Sequence, residues 1–107
     1  MSTFDERGNA FETKFARDED MAFRIAARRN KLLGQWAAGL MKLTPEETTA
    51  YATSVVQADF EEAGDEDVLR KVYGDLTAAQ IAIDETGVRQ ALAEKTVEAR
   101  RQLMESQ

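Results

Sequence analysis

The first half of the chain carries a helical stripe of apolar side chains. The stripe contains no proline, and it predicts a first helix from about Asp18 to Lys42. We expect Trp36, which has small residues beside it, to anchor the core of the protein. The residues that recur at helical spacing are Ile25, Leu32, Leu33, Trp36 and Leu40.

A second helix is predicted from the residues at its two ends. Thr44 suits the N-cap, Pro45 suits the first helical position, and Glu47 completes a capping box. We expect this helix to end near Ala63, because Gly64 suits the left-handed position that follows many helices.

Two more amphipathic helices follow, predicted from about Glu66 to Ala79 and from Asp84 to about Met104. Asp84 suits an N-cap, and Ile83 and Val88 are spaced for a hydrophobic staple around it. Short connections favour antiparallel neighbours. The sequence therefore predicts an all-α protein, a four-helix bundle over residues 18–107 with a flexible N-terminal arm.

The arm, residues 1–17, differs from the rest of the chain. Phe4, Phe11 and Phe15 would share one face of a helix, but Gly8-Asn9 interrupts the pattern and few other apolar residues accompany them. We expect the arm to be mobile or disordered alone and to fold when a partner surface covers it. The alternative is that the three phenylalanines fold back onto the bundle.

Composition narrows the possible functions. The 107 residues include 20 acidic and 14 basic side chains, for a net charge of −6, and neither cysteine nor histidine is present. Disulfides, thiolate nucleophiles and the commonest general base and metal ligand are thereby excluded. No stretch is typical of a signal peptide or a membrane span. We expect a cytoplasmic protein that is not an enzyme and holds no metal or cofactor.

Charge is unevenly distributed along the chain. Residues 21–43 carry five basic and no acidic side chains, whereas residues 44–67 carry eight acidic and no basic ones. One alternative function is therefore a small helical adaptor or nucleic-acid-binding module, although the negative net charge disfavours it. Its basic face would consist of Arg24, Arg28, Arg29 and Lys31.

Five runs of residues, taken together, resemble a known family over essentially the whole chain. They are Phe4-Asp5-Glu6-Arg7, Ala10-Phe11-Glu12-Thr13-Lys14-Phe15-Ala16, Ala27-Arg28-Arg29-Asn30-Lys31-Leu32-Leu33-Gly34, Trp36-Ala37-Ala38 and Ala58-Asp59-Phe60-Glu61-Glu62-Ala63-Gly64. Their order is similar to that in the zeta-type inhibitor subunit of alphaproteobacterial F-type ATP synthases.

The resemblance implies a mobile arm that enters a catalytic alpha/beta interface of the ATP synthase head, becomes helical there and blocks ATP hydrolysis. The implied partners are the alpha and beta subunits, with gamma as a further candidate, and no nucleic acid. The implied location is cytoplasmic, peripheral to the inner membrane through the synthase and without direct membrane insertion. The implied contact residues are Phe4, Phe11 and Phe15 as apolar anchors and Asp5, Glu6, Arg7, Glu12, Lys14 and Arg17 as polar contacts.

Two departures from the family pattern concern the arm. Gly8-Asn9 stands where better helix formers are expected, so ordering the arm should cost more free energy. Arg17 stands where a histidine often occurs. Because the chain has no histidine, a histidine-driven pH switch near neutrality is excluded.

Overall fold

The computed structural model describes the backbone of residues 3–61 and 65–105, and the side chains of residues 20–58 and 65–105. Within these ranges the regular structure is entirely helical. Helix α1 contacts each of the other three helices, and α3 lies beside both α2 and α4. The predicted all-α four-helix bundle is confirmed. The helices are α1 (Thr3–Leu40), α2 (Pro45–Glu61), α3 (Asp65–Ala78) and α4 (Glu85–Glu105).

Helix α1 begins at Thr3, well before the predicted start near Asp18. Gly8-Asn9 lies inside the helix, because glycine lowers helix stability by only about 1 kcal/mol and, unlike proline, keeps its backbone N–H. At 1.5 Å per residue, α1 accounts for most of the 64 Å length of the molecule. The division into a mobile arm, residues 1–17, and a bundle, residues 18–107, stays a prediction.

The predicted N-caps of α2 and α4 are confirmed. The Thr44 backbone N–H donates to Glu47 Oε1 at 2.9 Å, and the Glu47 N–H donates to Thr44 Oγ1 at 3.1 Å, which forms the capping box. At the start of α4, the Gly87 N–H donates to Asp84 Oδ1 at 2.8 Å. The predicted end of α2 at Ala63, with Gly64 after it, lies outside the described residues.

Two helices end in left-handed residues other than glycine. Lys42 follows α1 with a φ of 60°, and Gln80 follows α3 with a φ of 63°. Backbone hydrogen bonds close both ends: the Leu43 N–H donates to Ala38 O at 3.0 Å, and the Ile81 N–H donates to Leu76 O at 2.9 Å. These are Schellman-type ends, which usually carry glycine at the left-handed position.

The core face of α1 differs from the predicted stripe. Leu33 is fully buried as expected, and Trp36 packs against the core while partly exposed. Leu40, however, is 37% exposed, whereas Ala37 and Ala38 are fully buried. The buried positions follow the helical repeat through small residues, which a search for large apolar residues overlooks. Among the described side chains, the largest apolar ones that the core buries completely are Leu33, Val55, Val68, Val72, Leu76 and Val88.

Gly34 sets the closest approach between α1 and α2. A Cβ atom at this position would lie 2.7 Å from Ala52 Cα and 3.3 Å from Val55 Cγ2. The missing side chain therefore allows the two backbones to pack directly against each other.

No helix in the described part of the chain is both long and apolar enough to cross a membrane.

Candidate functional site

The nine predicted contact residues all lie in the N-terminal part of α1. The backbone is helical from Thr3 through residue 17 and continues without a break into the bundle. At 3.6 residues per turn, positions 4, 11 and 15 of such a backbone share one face. The side chains of Phe4, Asp5, Glu6, Arg7, Phe11, Glu12, Lys14, Phe15 and Arg17 lie outside the described residues.

The description of side chains begins at the point where the arm joins the bundle. Asp20 Oδ2 lies 3.0 Å from Arg24 Nε, an exposed pair one helical turn apart. Between them, the Phe23 side chain is 54% exposed. Residues 20–24 of α1 thus present an aromatic ring and charged groups on the surface.

A buried arginine ties α1 to the start of α3. Arg29 is only 6% exposed, and its Nη1 donates to Asp65 Oδ1 at 2.8 Å while its Nε donates to Asn30 Oδ1 at 3.0 Å. On the α4 side, Arg28 Nη1 donates to Gln102 Oε1 at 2.9 Å. The part of α1 that carries the arm is therefore held by contacts to two other helices.

These contacts show that the exposed basic face predicted for an adaptor or nucleic-acid-binding module is smaller than expected. Of its four residues, Arg29 is buried and its guanidinium pairs with Asp65, so it cannot contribute to an exposed surface. Arg24 pairs with Asp20, which leaves Arg28 and Lys31 as exposed cations without a carboxylate partner among the described side chains.

The acidic residues at the start of α3 take part in ion pairs rather than in a metal site. Glu66 accepts two hydrogen bonds from Arg89 of α4, at 2.9 and 3.1 Å, and these bonds, followed by the charge of Arg89, lower the pKa of Glu66. Asp65 binds Arg29, as described above. In the described part of the chain, no group of three acidic side chains is placed to hold a metal ion.

A tyrosine links α2 to α3. The Tyr51 hydroxyl donates to Asp75 Oδ2 at 2.8 Å, and Lys71 Nζ lies 3.1 Å from the same oxygen and 5.3 Å from the centre of the Tyr51 ring. The pKa of Tyr51 is raised, mainly because the side chain is partly buried. The hydrogen bond to Asp75 and the negative charge of that carboxylate raise it further. Burial and the Asp75 carboxylate favour the neutral phenol, and the hydrogen bond between Tyr51 and Asp75 holds the two helices together.

Comparison with known proteins decides the family. A family model described as ATPase inhibitor subunit zeta matches residues 1–102, which include both the arm and most of the bundle. The chain belongs to this zeta family. It is thus an inhibitor subunit of an ATPase, a regulatory protein that binds the ATP synthase.

A solved relative supports the fold of this zeta subunit. A structure determined in solution by NMR is 46% identical, with a TM-score of 0.72, and the match covers 81% of this chain and 99% of that chain. No curated protein matches the chain.

Sequence reasoning missed the positions of Phe23 and Arg29. The burial of Arg29 could have been found, because residues 29 and 30 extend the buried face of Leu33, Ala37 and Ala38 by one helical turn. No comparable signal marks the exposure of Phe23.

Proposed function

We propose that residues 1–17 enter a catalytic alpha/beta interface of the ATP synthase head as a helix and block rotation in the hydrolytic direction. The observation that carries the proposal is the α1 backbone, which is unbroken from Thr3 into the bundle. The model of the zeta family also matches the arm, because it begins at residue 1. The subunit would act by occupying a cleft, without a chemical step of its own.

The continuity of α1 gives the arm an energetic advantage. Starting a helix in isolation carries a nucleation penalty of about 4 kcal/mol, whereas adding turns to an existing helix carries none. Ordering each residue costs about 1–2 kcal/mol of backbone entropy, which burial of the phenylalanine rings and helix hydrogen bonds must offset. A bundle that already holds α1 lowers the total cost of inserting the arm.

The proposal includes the partners and the location of the subunit. The arm contacts the alpha and beta subunits, with Phe4, Phe11 and Phe15 as apolar anchors and the charged residues between them fixing the register. The subunit then lies at the inner membrane only through the synthase.

Alanine substitutions in the full-length chain test the anchors. Phe11→Ala and Phe15→Ala should each raise the concentration for half-maximal inhibition of ATP hydrolysis about 30-fold, which corresponds to about 2 kcal/mol for a buried anchor. Val97→Ala is the matched control, because this exposed apolar side chain lies on α4 away from the arm. If both phenylalanine variants inhibit like the parent, the anchors are misassigned.

A further inference from the structure

A surface groove lies beside residues 23–31 of α1. Its volume is about 520 Å³, and α1 forms one wall while single residues of α2 and α4 complete it. The residues that matter for its chemistry are Phe23, Arg24, Arg28, Lys31, Val56 and Leu103.

The groove combines an apolar lining with positive charge. Phe23 is the most exposed aromatic side chain in the described part of the chain, and Val56 and Leu103 are half-buried next to it. Arg28 is bonded to a neutral amide, and Lys31 lies one turn further along α1. No described carboxylate pairs with either cation, so their charge is available to a ligand.

The groove is also close to the arm. Phe23 follows Arg17 by six residues on the same uninterrupted helix, a distance of about 9 Å along its axis. If residues 1–17 lie inside a cleft of the ATPase, the rigid continuation of α1 places this groove at the rim of that cleft.

We propose that the groove docks an acidic amphipathic segment of the ATPase at the rim of the cleft that the arm enters. The inference rests on the proposed function. Carboxylates of the segment pair with Arg28 and Lys31, and its apolar side chains cover Phe23. The groove thereby supplies a second contact, which strengthens and orients binding while the arm blocks rotation.

The chemistry of the groove favours a protein segment over a nucleic acid. The net charge of −6 repels a polyanion such as a nucleic acid more strongly than a short segment that carries a few carboxylates. A carboxylate-bearing helix satisfies both the cations and the apolar lining, since its charged and apolar residues recur one turn apart.

A charge-reversal series in the full-length chain tests the proposal. The groove variant carries Arg28→Glu and Lys31→Glu. The control carries Lys95→Glu and Arg100→Glu on α4, which lower the net charge by the same amount outside the groove. Inhibition of ATP hydrolysis is measured against inhibitor concentration at low and high salt, beside the Phe11→Ala variant of the arm.

The groove variant should need at least about tenfold more protein for half-maximal inhibition at low salt, with unchanged maximal inhibition and a weaker salt dependence. The control should stay within about twofold of the parent. Equal effects in both double variants, or no effect in either, would overturn the groove proposal. Stronger inhibition by the groove variant would also overturn it, because the groove would then hold the chain's own arm.

Coupling of lysine to carboxylates with a carbodiimide identifies the occupant. Lys31 should become linked to an acidic residue of an ATPase subunit, and the Lys31→Arg variant, which keeps the charge, should inhibit normally but lose that link. A link from Lys31 only to residues 1–20 or to a second copy would refute the proposal. If Phe11→Ala inhibits like the parent while the groove variant fails, the proposed role of the arm is wrong and the groove contact stands.

Discussion

Replacing Gly34 by alanine should destabilise the bundle, although alanine is the better helix former. The change adds a Cβ atom 2.7 Å from Ala52 Cα and 3.2 Å from Ala52 Cβ, where carbon atoms normally stay about 3.5–4.0 Å apart. Because the closest atom belongs to the backbone, no side-chain rotation can relieve the contact. Helices α1 and α2 must separate.

Two opposing terms set the size of the effect. Alanine gains about 1 kcal/mol over glycine inside a helix, whereas overpacking in a well-packed core costs about 1–3 kcal/mol. A backbone clash belongs in the upper part of that range, so we expect Gly34→Ala to lower the free energy of unfolding by about 1–2 kcal/mol.

Gly74→Ala is the matched control for this prediction. Gly74 is exposed in the interior of α3, and an added Cβ there meets no atom within 4 Å. The same substitution should therefore raise the free energy of unfolding by about 1 kcal/mol. Urea denaturation of the parent and both variants measures the two changes. If Gly34→Ala stabilises the protein as Gly74→Ala does, the close packing of α1 against α2 is incorrect.

Three further substitutions test other contacts. Lys42→Gly should raise the free energy of unfolding by about 0.5–1 kcal/mol in urea denaturation, because glycine adopts the left-handed conformation without strain; an unchanged or lower value would contradict this. Arg29→Met should lower the free energy of unfolding by about 2 kcal/mol, because the Oδ1 atom of buried Asn30 then loses its hydrogen-bond donor. An unchanged free energy of unfolding would show that this hydrogen bond does not stabilise the protein. Stability should fall as the pH rises above about 10, because the pKa of Tyr51 is raised in the folded state and the unfolded chain ionises first. Tyr51→Phe should flatten this alkaline fall in denaturation curves across that pH range, and an identical slope in parent and variant would exclude Tyr51 as its source.

Local signals made much of the fold predictable. Thr44 and Glu47 interact across three residues, and Asp84 caps the helix that follows it directly, so neither cap needs knowledge of the tertiary structure. The four-helix class follows from the same local boundaries and from the apolar stripes between them.

Features that depend on distant residues were not predictable. The helical repeat places Arg29 on the buried face, but no local signal identifies its ion-pair partner Asp65, 36 positions away. The ends at Lys42 and Gln80 are left-handed without the glycine that normally signals such a turn. The low helix propensity of Gly8-Asn9 predicted a break, but α1 continues through these residues. Extending a helix that the bundle already holds requires no new nucleation.

The candidate site was predictable mainly through the family resemblance. Periodicity alone predicted that Phe4, Phe11 and Phe15 share one helical face that either a partner or the bundle must cover, and the family match supports a role of the chain in ATPase inhibition. The roles of the individual arm residues stay predictions, because they depend on a surface that belongs to another protein.

The role of the arm is tested by comparing the full-length chain with a chain that begins at Asp18, in an assay of ATP hydrolysis by the synthase head. Among the described side chains, the fully buried apolar ones lie within residues 33–99, so the shortened chain should retain a cooperative unfolding transition, which is checked first. We predict that the full-length protein inhibits hydrolysis and that the folded, shortened chain does not. Equal inhibition by both proteins would show that the N-terminal arm is not the inhibitory element.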